Sequence, residues 1–220
     1  LKKQIYRVMH ELTKAELPWG ALTGIRPTKL IVTMIEAAPD VTDEEITSFL
    51  KENYYVTDEK AALGIQIARR EIKLLEKIDY EEGYSLYIGI PFCPTTCLYC
   101  SFTSYPIGAY TKKADDYVTA LLKEISYASA RFADRKLNSI YIGGGTPTTL
   151  EPEQLERLLH AVRDSFDFSH NREFTVEAGR PDSITPEKLA VLLKHGVTRI
   201  SINPQTMNQK TLDLIGRYHT

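Results

Sequence analysis

Cysteine is scarce in this 220-residue chain: there are three, and all fall between positions 93 and 100. So small and odd a number excludes a disulfide framework. Charge of one sign is missing as well. The 27 Lys and Arg stand against 29 Asp and Glu, a formal net charge of −2, so the balance selects neither nucleic acid nor an anionic membrane as a partner. No apolar run approaches the roughly 18 residues that a membrane span needs. The stretch Leu1 to Arg7 is charged and holds neither an initiator Met nor an apolar core. It reads as an internal start and not as a signal peptide, so the expectation is a fragment with a cytoplasmic address. With 12 Gly, 11 Pro and 43% hydrophobic residues, the composition is that of a chain able to bury a proper core, without collagen-like or disordered bias.

Residues 1–83 read as a helical domain. Apolar positions recur at helical spacing in Ile5, Val8, Met9 and Leu12, and again along Ala61, Ala62, Ile65, Ala68, Ile72 and Leu75. Thr42 before Asp43-Glu44-Glu45 and Thr57 before Asp58-Glu59 have the form of N-caps with acidic first turns. Between these elements Leu22–Lys29 is a Gly/Pro-punctuated loop, in which Arg26 and Lys29 are more simply solvated cations than an anion site.

From Tyr84 the texture changes to short β-branched or aromatic runs alternating with amphipathic helices, the pattern of βα units on a parallel sheet. Strands are predicted at Ser85–Ile90, Ser139–Ile142, Glu173–Glu177 and Arg199–Ile202. Helices are predicted at Ala114–Ala133, Pro152–Phe166, Pro186–His195 and Met207–Tyr218, with Pro152 and Pro186 in first turns and Gly196 as a left-handed C-terminal residue. The fold class is therefore α/β: a partial parallel (β/α) barrel over 84–220, its first four units present, behind a helical N-terminal domain.

All three thiols sit just after the first strand, in Tyr87-Ile88-Gly89-Ile90-Pro91-Phe92-Cys93-Pro94-Thr95-Thr96-Cys97-Leu98-Tyr99-Cys100. A structural zinc site wants four ligands, and neither a fourth Cys nor a His lies nearby in sequence. A redox pair at Cys97 and Cys100 would leave Cys93 without a purpose. Three cysteines suit a [4Fe–4S] cluster with one iron left open to an outside ligand. After the second strand, Gly143-Gly144-Gly145-Thr146-Pro147-Thr148 matches neither a dinucleotide fingerprint nor a P-loop, yet its glycines let the backbone approach a ligand closely. Glu177 ends the third strand, and Asn203-Pro204-Gln205 follows the fourth. Every one of these features falls at the carboxyl edge of a predicted parallel strand, where open α/β sheets and barrels bind ligands.

The C-x3-C-x2-C triplet after the first strand of a βα repeat resembles the radical S-adenosylmethionine (SAM) superfamily. That resemblance implies a [4Fe–4S] cluster whose open iron binds SAM, and reductive cleavage of SAM to a 5′-deoxyadenosyl radical. Tyr-x-Gly-Ile-Pro-Phe-Cys, Gly-Gly-Gly-Thr-Pro-Thr, Val-Glu, and Gln205 followed by Gly216-Arg217-Tyr218-His219 are together similar to the oxygen-independent coproporphyrinogen III oxidase family. By that likeness Cys93, Cys97 and Cys100 hold the cluster. Tyr87, Gly144, Gly145, Thr146, Glu177, Gln205 and Arg217 line the SAM site, with Tyr87 and Glu177 in the catalytic role, while Phe92 and Tyr99 shield the cluster. The implied partners are a tetrapyrrole substrate or haem and an electron donor such as flavodoxin or ferredoxin. Phe102 stands where established oxidases have a further Cys, and Gly89 where they have His; Phe at 102 is what the related haem-chaperone branch shows. Decarboxylation of coproporphyrinogen III and haem handover are thus both readings of the likeness.

Overall fold

The computed structural model describes residues 1–219 and divides into two units, Leu1–Lys77 and Ile78–Thr220. Thr220, the last residue of the expected 84–220 core, lies outside the described residues. The first unit is helical, with α1 (Lys2–Thr13), α2 (Thr28–Ala37), α3 (Asp43–Tyr54) and α4 (Asp58–Leu75). Thr42 caps α3 through a reciprocal capping box with Glu45, and the Thr57 hydroxyl accepts from the backbone N–H of Lys60 at the start of α4. Ile31, Ile35, Ile46, Leu50, Ala61, Ile65 and Ala68 form its core, the one-face spacing expected of amphipathic helices. The stripe Ile5, Val8, Met9 and Leu12 does lie on a helix, but α1 buries none of its residues. What holds α1 is polar and aromatic: Lys3 Nζ donates to the Glu52 carbonyl at 3.0 Å, and Tyr6 stacks on Tyr55 with ring centroids 5.3 Å apart.

The second unit is built on a four-stranded, all-parallel sheet of β1 (Tyr84–Ile90), β4 (Leu137–Gly144), β5 (Glu173–Glu177) and β6 (Arg199–Ser201), in that spatial order. A two-residue pair, β2 (Phe92–Cys93) with β3 (Tyr105–Pro106), follows β1 and was not expected from the sequence. The long α5 (Ile107–Arg131) connects it to β4. It starts seven residues before the predicted Ala114, because Pro106 at its N-cap ends the small strand and launches the helix directly. Next come α6 (Pro152–Ser165) and α7 (Pro186–Lys194), close to their predicted spans. The last helix, α8 (Gln209–Leu214), is shorter than the predicted Met207–Tyr218: the Asn208 side chain caps its start, and Gly216 at φ 76° marks its exit. Gly196 takes the left-handed conformation foreseen for it.

Register divides the sheet into unlike faces. On one, Leu86, Ile140 and Phe174 lie side by side, with Ile88, Ile142, Val176 and Ile200 in the next row. That face meets the apolar stripes of the helices, Ala114, Val118, Leu121 and Ile125 on α5 and Leu155, Leu158, Leu159 and Val162 on α6. On the other face Tyr87, Tyr141, Thr175 and Arg199 align across the four strands, followed by Gly89 and Gly143, then Glu177 and Ser201. A parallel sheet covered by helices on both sides reads apolar throughout. The polar, glycine-containing face is the one left for chemistry. Phe174 is 0% exposed on the strand between β4 and β6, so Phe174→Ala is expected to cost about 3–5 kcal/mol, read as a lower denaturant midpoint at an unchanged slope.

Candidate functional site

At the carboxyl ends of the four strands the second unit opens into a cleft of about 550 Å3. The cysteine loop forms one wall. Cys93 closes β2, and its Sγ lies 3.3 Å from the Thr146 hydroxyl; burial pushes this thiol above its ordinary range, with Thr146 acting in the opposite sense. Cys97 presents its sulfur to two guanidinium groups, Nη1 of Arg180 at 3.7 Å and Nη1 of Arg217 at 3.9 Å. Cys100 turns back over Cys97, its N–H donating to the Cys97 carbonyl, and its sulfur lies 3.7 Å from the Ser104 hydroxyl. None of the three is in a disulfide, and all three line the cleft.

The loop is held from far along the chain. Leu98 N–H donates to the Ile215 carbonyl at 3.0 Å, and the Thr95 hydroxyl donates to the Gly216 carbonyl at 2.8 Å across 121 positions of sequence. On the opposite side, Gly145 N–H and Thr146 N–H donate to the carbonyls of Ile90 and Phe92, each at 2.7 Å, so the glycine turn is strapped to the end of β1. This closeness requires glycine. Gly144 holds φ 107°, and a Cβ placed on Gly145 would stand 2.6 Å from the Phe92 carbonyl oxygen and 3.1 Å from Cys93 Sγ.

Glu177 reaches the cleft from the end of β5, and Tyr141 O–H donates to its Oε1 at 2.6 Å. That bond raises the Tyr141 hydroxyl to about 12, with burial adding to it, so the phenol stays protonated across the physiological range and keeps its donor on Glu177. Tyr87 stacks on Tyr141 with centroids 5.9 Å apart and leaves its own face open to the cleft. Arg217, 4% exposed, donates through Nη2 to the carbonyls of Gly179 and Asn203 and through Nη1 to Tyr99 Oη; its Nε is buried without a partner. Gln205 lines the cleft at φ 72°, its N–H turned onto the Asn203 side chain.

Tyr87, the three cysteines, Tyr99, Gly144, Gly145, Thr146, Glu177, Gln205 and Arg217 are thus brought to one cleft, as the motifs suggested. Phe92 is the exception. Expected to shield the cysteines, it is instead buried in the core with its ring edge-on to Tyr117, because the β2–β3 pairing fixes its side chain on the inner side. Only its carbonyl serves the site. Two residues were not singled out in the sequence. Tyr141 shares the strand face of Tyr87, a relation that strand alternation offers once the register is known. Arg180, 2% exposed, sits three residues past Glu177 and clamps the cysteine loop. Tyr141→Phe is expected to leave the fold intact while releasing Glu177, giving a several-fold loss of affinity for a ligand held by that carboxylate, measured by calorimetric titration.

A second groove, of about 680 Å3 between α3 and α4, is lined mainly by polar and charged side chains, among them the ion-paired Asp43 and Arg69, and holds no thiol. No helix among the described residues is long and apolar enough to cross a membrane. No group of three or more His, Cys, Asp or Glu among the described residues is already set at the spacing of a metal site. A thiol-only triplet beside a glycine cradle, two buried guanidiniums and an unpartnered Arg217 Nε fit an iron–sulfur cluster with an anionic ligand next to it.

Comparison with known proteins agrees with that geometry. The model of the radical SAM superfamily matches residues 87–220. The oxygen-independent coproporphyrinogen-III oxidase-like protein HemZ of Bacillus subtilis is 42% identical over 206 residues, covering 92% of this chain and 41% of HemZ. The heme chaperone HemW of the same organism is 42% identical over 139 residues, covering 61% of this chain and 35% of HemW. The solved structure of coproporphyrinogen III oxidase (HemN) from Escherichia coli, described as a radical SAM enzyme, superposes with a TM-score of 0.56 at 31% identity over 68% of this chain and 34% of that one. The chain therefore spans less than half the length of each of these relatives.

Proposed function

Since the chain belongs to the radical SAM superfamily, we propose that it forms the cluster- and SAM-binding core of a protein that acts on a tetrapyrrole, decarboxylating coproporphyrinogen III to protoporphyrinogen IX without oxygen. The observation that carries this reading is the convergence of three thiols, the glycine turn, Glu177 and Arg217 on one cleft at the carboxyl edge of a parallel sheet. Cys93, Cys97 and Cys100 would hold the [4Fe–4S] cluster. The group supplies, when bound, one electron to SAM at the iron the protein leaves free.

Everything else is the work of this chain. The turn at Gly144 and Gly145 brings bare backbone against the cysteine wall, close enough to contact a small zwitterion there. Glu177, locked by Tyr141, is a fixed acceptor for hydroxyl or ammonium groups. Arg217 is a buried cation beside Cys97, suited to a carboxylate. Tyr87, backed by Tyr141, offers an aromatic ledge at the mouth of the cleft. The pairing of β2 with β3 and the links from the cysteine loop to Ile215 and Gly216 hold this wall in place.

A second reading, haem carriage on the same scaffold, is favoured by the likeness to HemW and by Phe102, an exposed apolar side chain on the cleft lining. The two separate in one experiment. Anaerobically reconstituted protein is incubated with SAM, a reductant and coproporphyrinogen III, and a parallel sample is titrated with haem. Formation of 5′-deoxyadenosine with protoporphyrinogen IX supports the decarboxylase. Stoichiometric haem binding without a vinyl product replaces it with the carrier, and absence of SAM binding overturns both.

A further inference from the structure

We propose that Arg180 is a positioning residue for Cys97, and that its buried charge raises the reduction potential of the cluster held by Cys93, Cys97 and Cys100. The inference rests on the cluster reading given above and adds to it a residue that sets how readily the cluster is reduced.

Arg180 is 2% exposed, and an arginine so deeply buried requires its charge to be met. The way it is met gives the group a direction. Asp182 takes one edge of the guanidinium, accepting from Nε at 3.1 Å and from Nη2 at 2.9 Å. Nη1 points the other way, donating to the Thr95 carbonyl at 3.2 Å and hydroxyl at 3.1 Å and reaching Cys97 Sγ at 3.7 Å. The ion pair is therefore a dipole with its positive end against the sulfur. Thr95 Oγ1 receives both Nη1 and Nη2 and passes its own proton to the Gly216 carbonyl, so the same side chain fixes the backbone two residues before Cys97.

The environment of the three thiols is unequal. Cys93 lies against the Thr146 hydroxyl and Cys100 against the Ser104 hydroxyl, while Cys97 has guanidinium nitrogens at 3.7 and 3.9 Å; the Arg180 charge is also felt at Cys93. Arg217 contributes there too, but its Nη2 is spent on the Gly179 and Asn203 carbonyls and its Nε is left without a partner, while both guanidiniums line the cleft. Arg180 has its fork fully occupied and no hydrogen-bonding site left for a ligand, so its influence is exerted through the sulfur. Reduction adds a negative charge to the cluster. A cation and an N–H donor at a ligating sulfur favour the reduced state, two of the levers by which proteins set such potentials.

The test is a redox titration, followed by electron paramagnetic resonance, of the anaerobically reconstituted protein, with iron and sulfide counted in each variant. Arg180→Gln is expected to show a reduced-to-oxidised cluster ratio about tenfold lower at a fixed poise near the midpoint, a fall of about 59 mV for a one-electron couple. Arg180→Lys, which keeps the charge and loses the fork, is expected to stay close to the parent. Asp182→Asn leaves the Arg180 charge uncompensated and is expected to shift the potential upward, a sign that a merely structural clamp does not produce. Full iron with an unchanged potential in Arg180→Gln and Asp182→Asn overturns the proposal. If Arg180→Gln does not retain iron, Asp182→Asn decides: an upward shift supports the proposal and no shift overturns it. A parent protein that holds no cluster under these conditions overturns the underlying reading as well, and iron content separates that failure from the first.

Discussion

Cys97→Ala is expected to keep the far-UV circular dichroism of the parent and to lose both its iron and its production of 5′-deoxyadenosine. The two halves of that result have separate causes. Cys97 is only partly buried, and its sulfur makes two long contacts, to Nη1 of Arg180 and Nη1 of Arg217. Arg180 keeps its bonds to Thr95 and Asp182, and Arg217 keeps its carbonyls. The cost to folding is therefore on the order of 1 kcal/mol, which for a chain of this size moves the thermal midpoint by about 2–4 °C. Cluster binding has no such reserve. Three thiolates already stand one short of the usual four, and two leave a second iron without a protein ligand. Iron analysis and product chromatography on the same preparation check the prediction, and a variant that retains both full iron and full turnover refutes it.

Gly145→Ala is expected to damage stability and ligand binding together. The new Cβ would stand 2.6 Å from the Phe92 carbonyl oxygen, 3.0 Å from that of Ile90 and 3.1 Å from Cys93 Sγ. Two of these are backbone atoms at the end of β1 and in β2, so no side-chain rotation relieves the clash. The turn has to back away, stretching the 2.7 Å bonds from Gly145 and Thr146 to those same carbonyls. Overpacking of this kind costs about 1–3 kcal/mol. Because the turn and the cysteine wall move apart, affinity for SAM should fall by more than tenfold even under conditions where the variant is folded. Calorimetric titration with SAM, beside a denaturant curve, separates the two effects. Unchanged affinity at an unchanged midpoint would show that the close approach is not needed.

The sequence disclosed the parallel sheet because its strands are short β-branched runs that cannot be helices, and because Pro152, Pro186 and Gly196 punctuate the intervening helices. Thr42 and Thr57 were legible as caps for the same local reason. Most of the cleft followed, since each motif directly succeeds a strand. Phe92 was misplaced because its orientation depends on a pairing with Tyr105 more than ten positions away, which no local pattern encodes. Tyr141 and Arg180 were missed for a related reason. A tyrosine inside a strand and an arginine after one are ordinary in sequence; only the lateral register and the fold of the loop after β5 put them against Glu177 and Cys97. The exposed stripe of α1 shows the converse, a strong local period without burial in the first unit.

The bonds from Thr95 and Leu98 to Gly216 and Ile215 also set an order of events during synthesis. A ribosome delivers the chain from its first residue onward, so the thiols emerge more than a hundred residues before the carbonyls that brace them. Closing so wide a span carries an entropic cost that is recovered only when β4, β5 and β6 have assembled between the two ends. The wall that carries the thiols is thereby complete only after the segment through Gly216 has been made and has folded back onto Thr95 and Leu98.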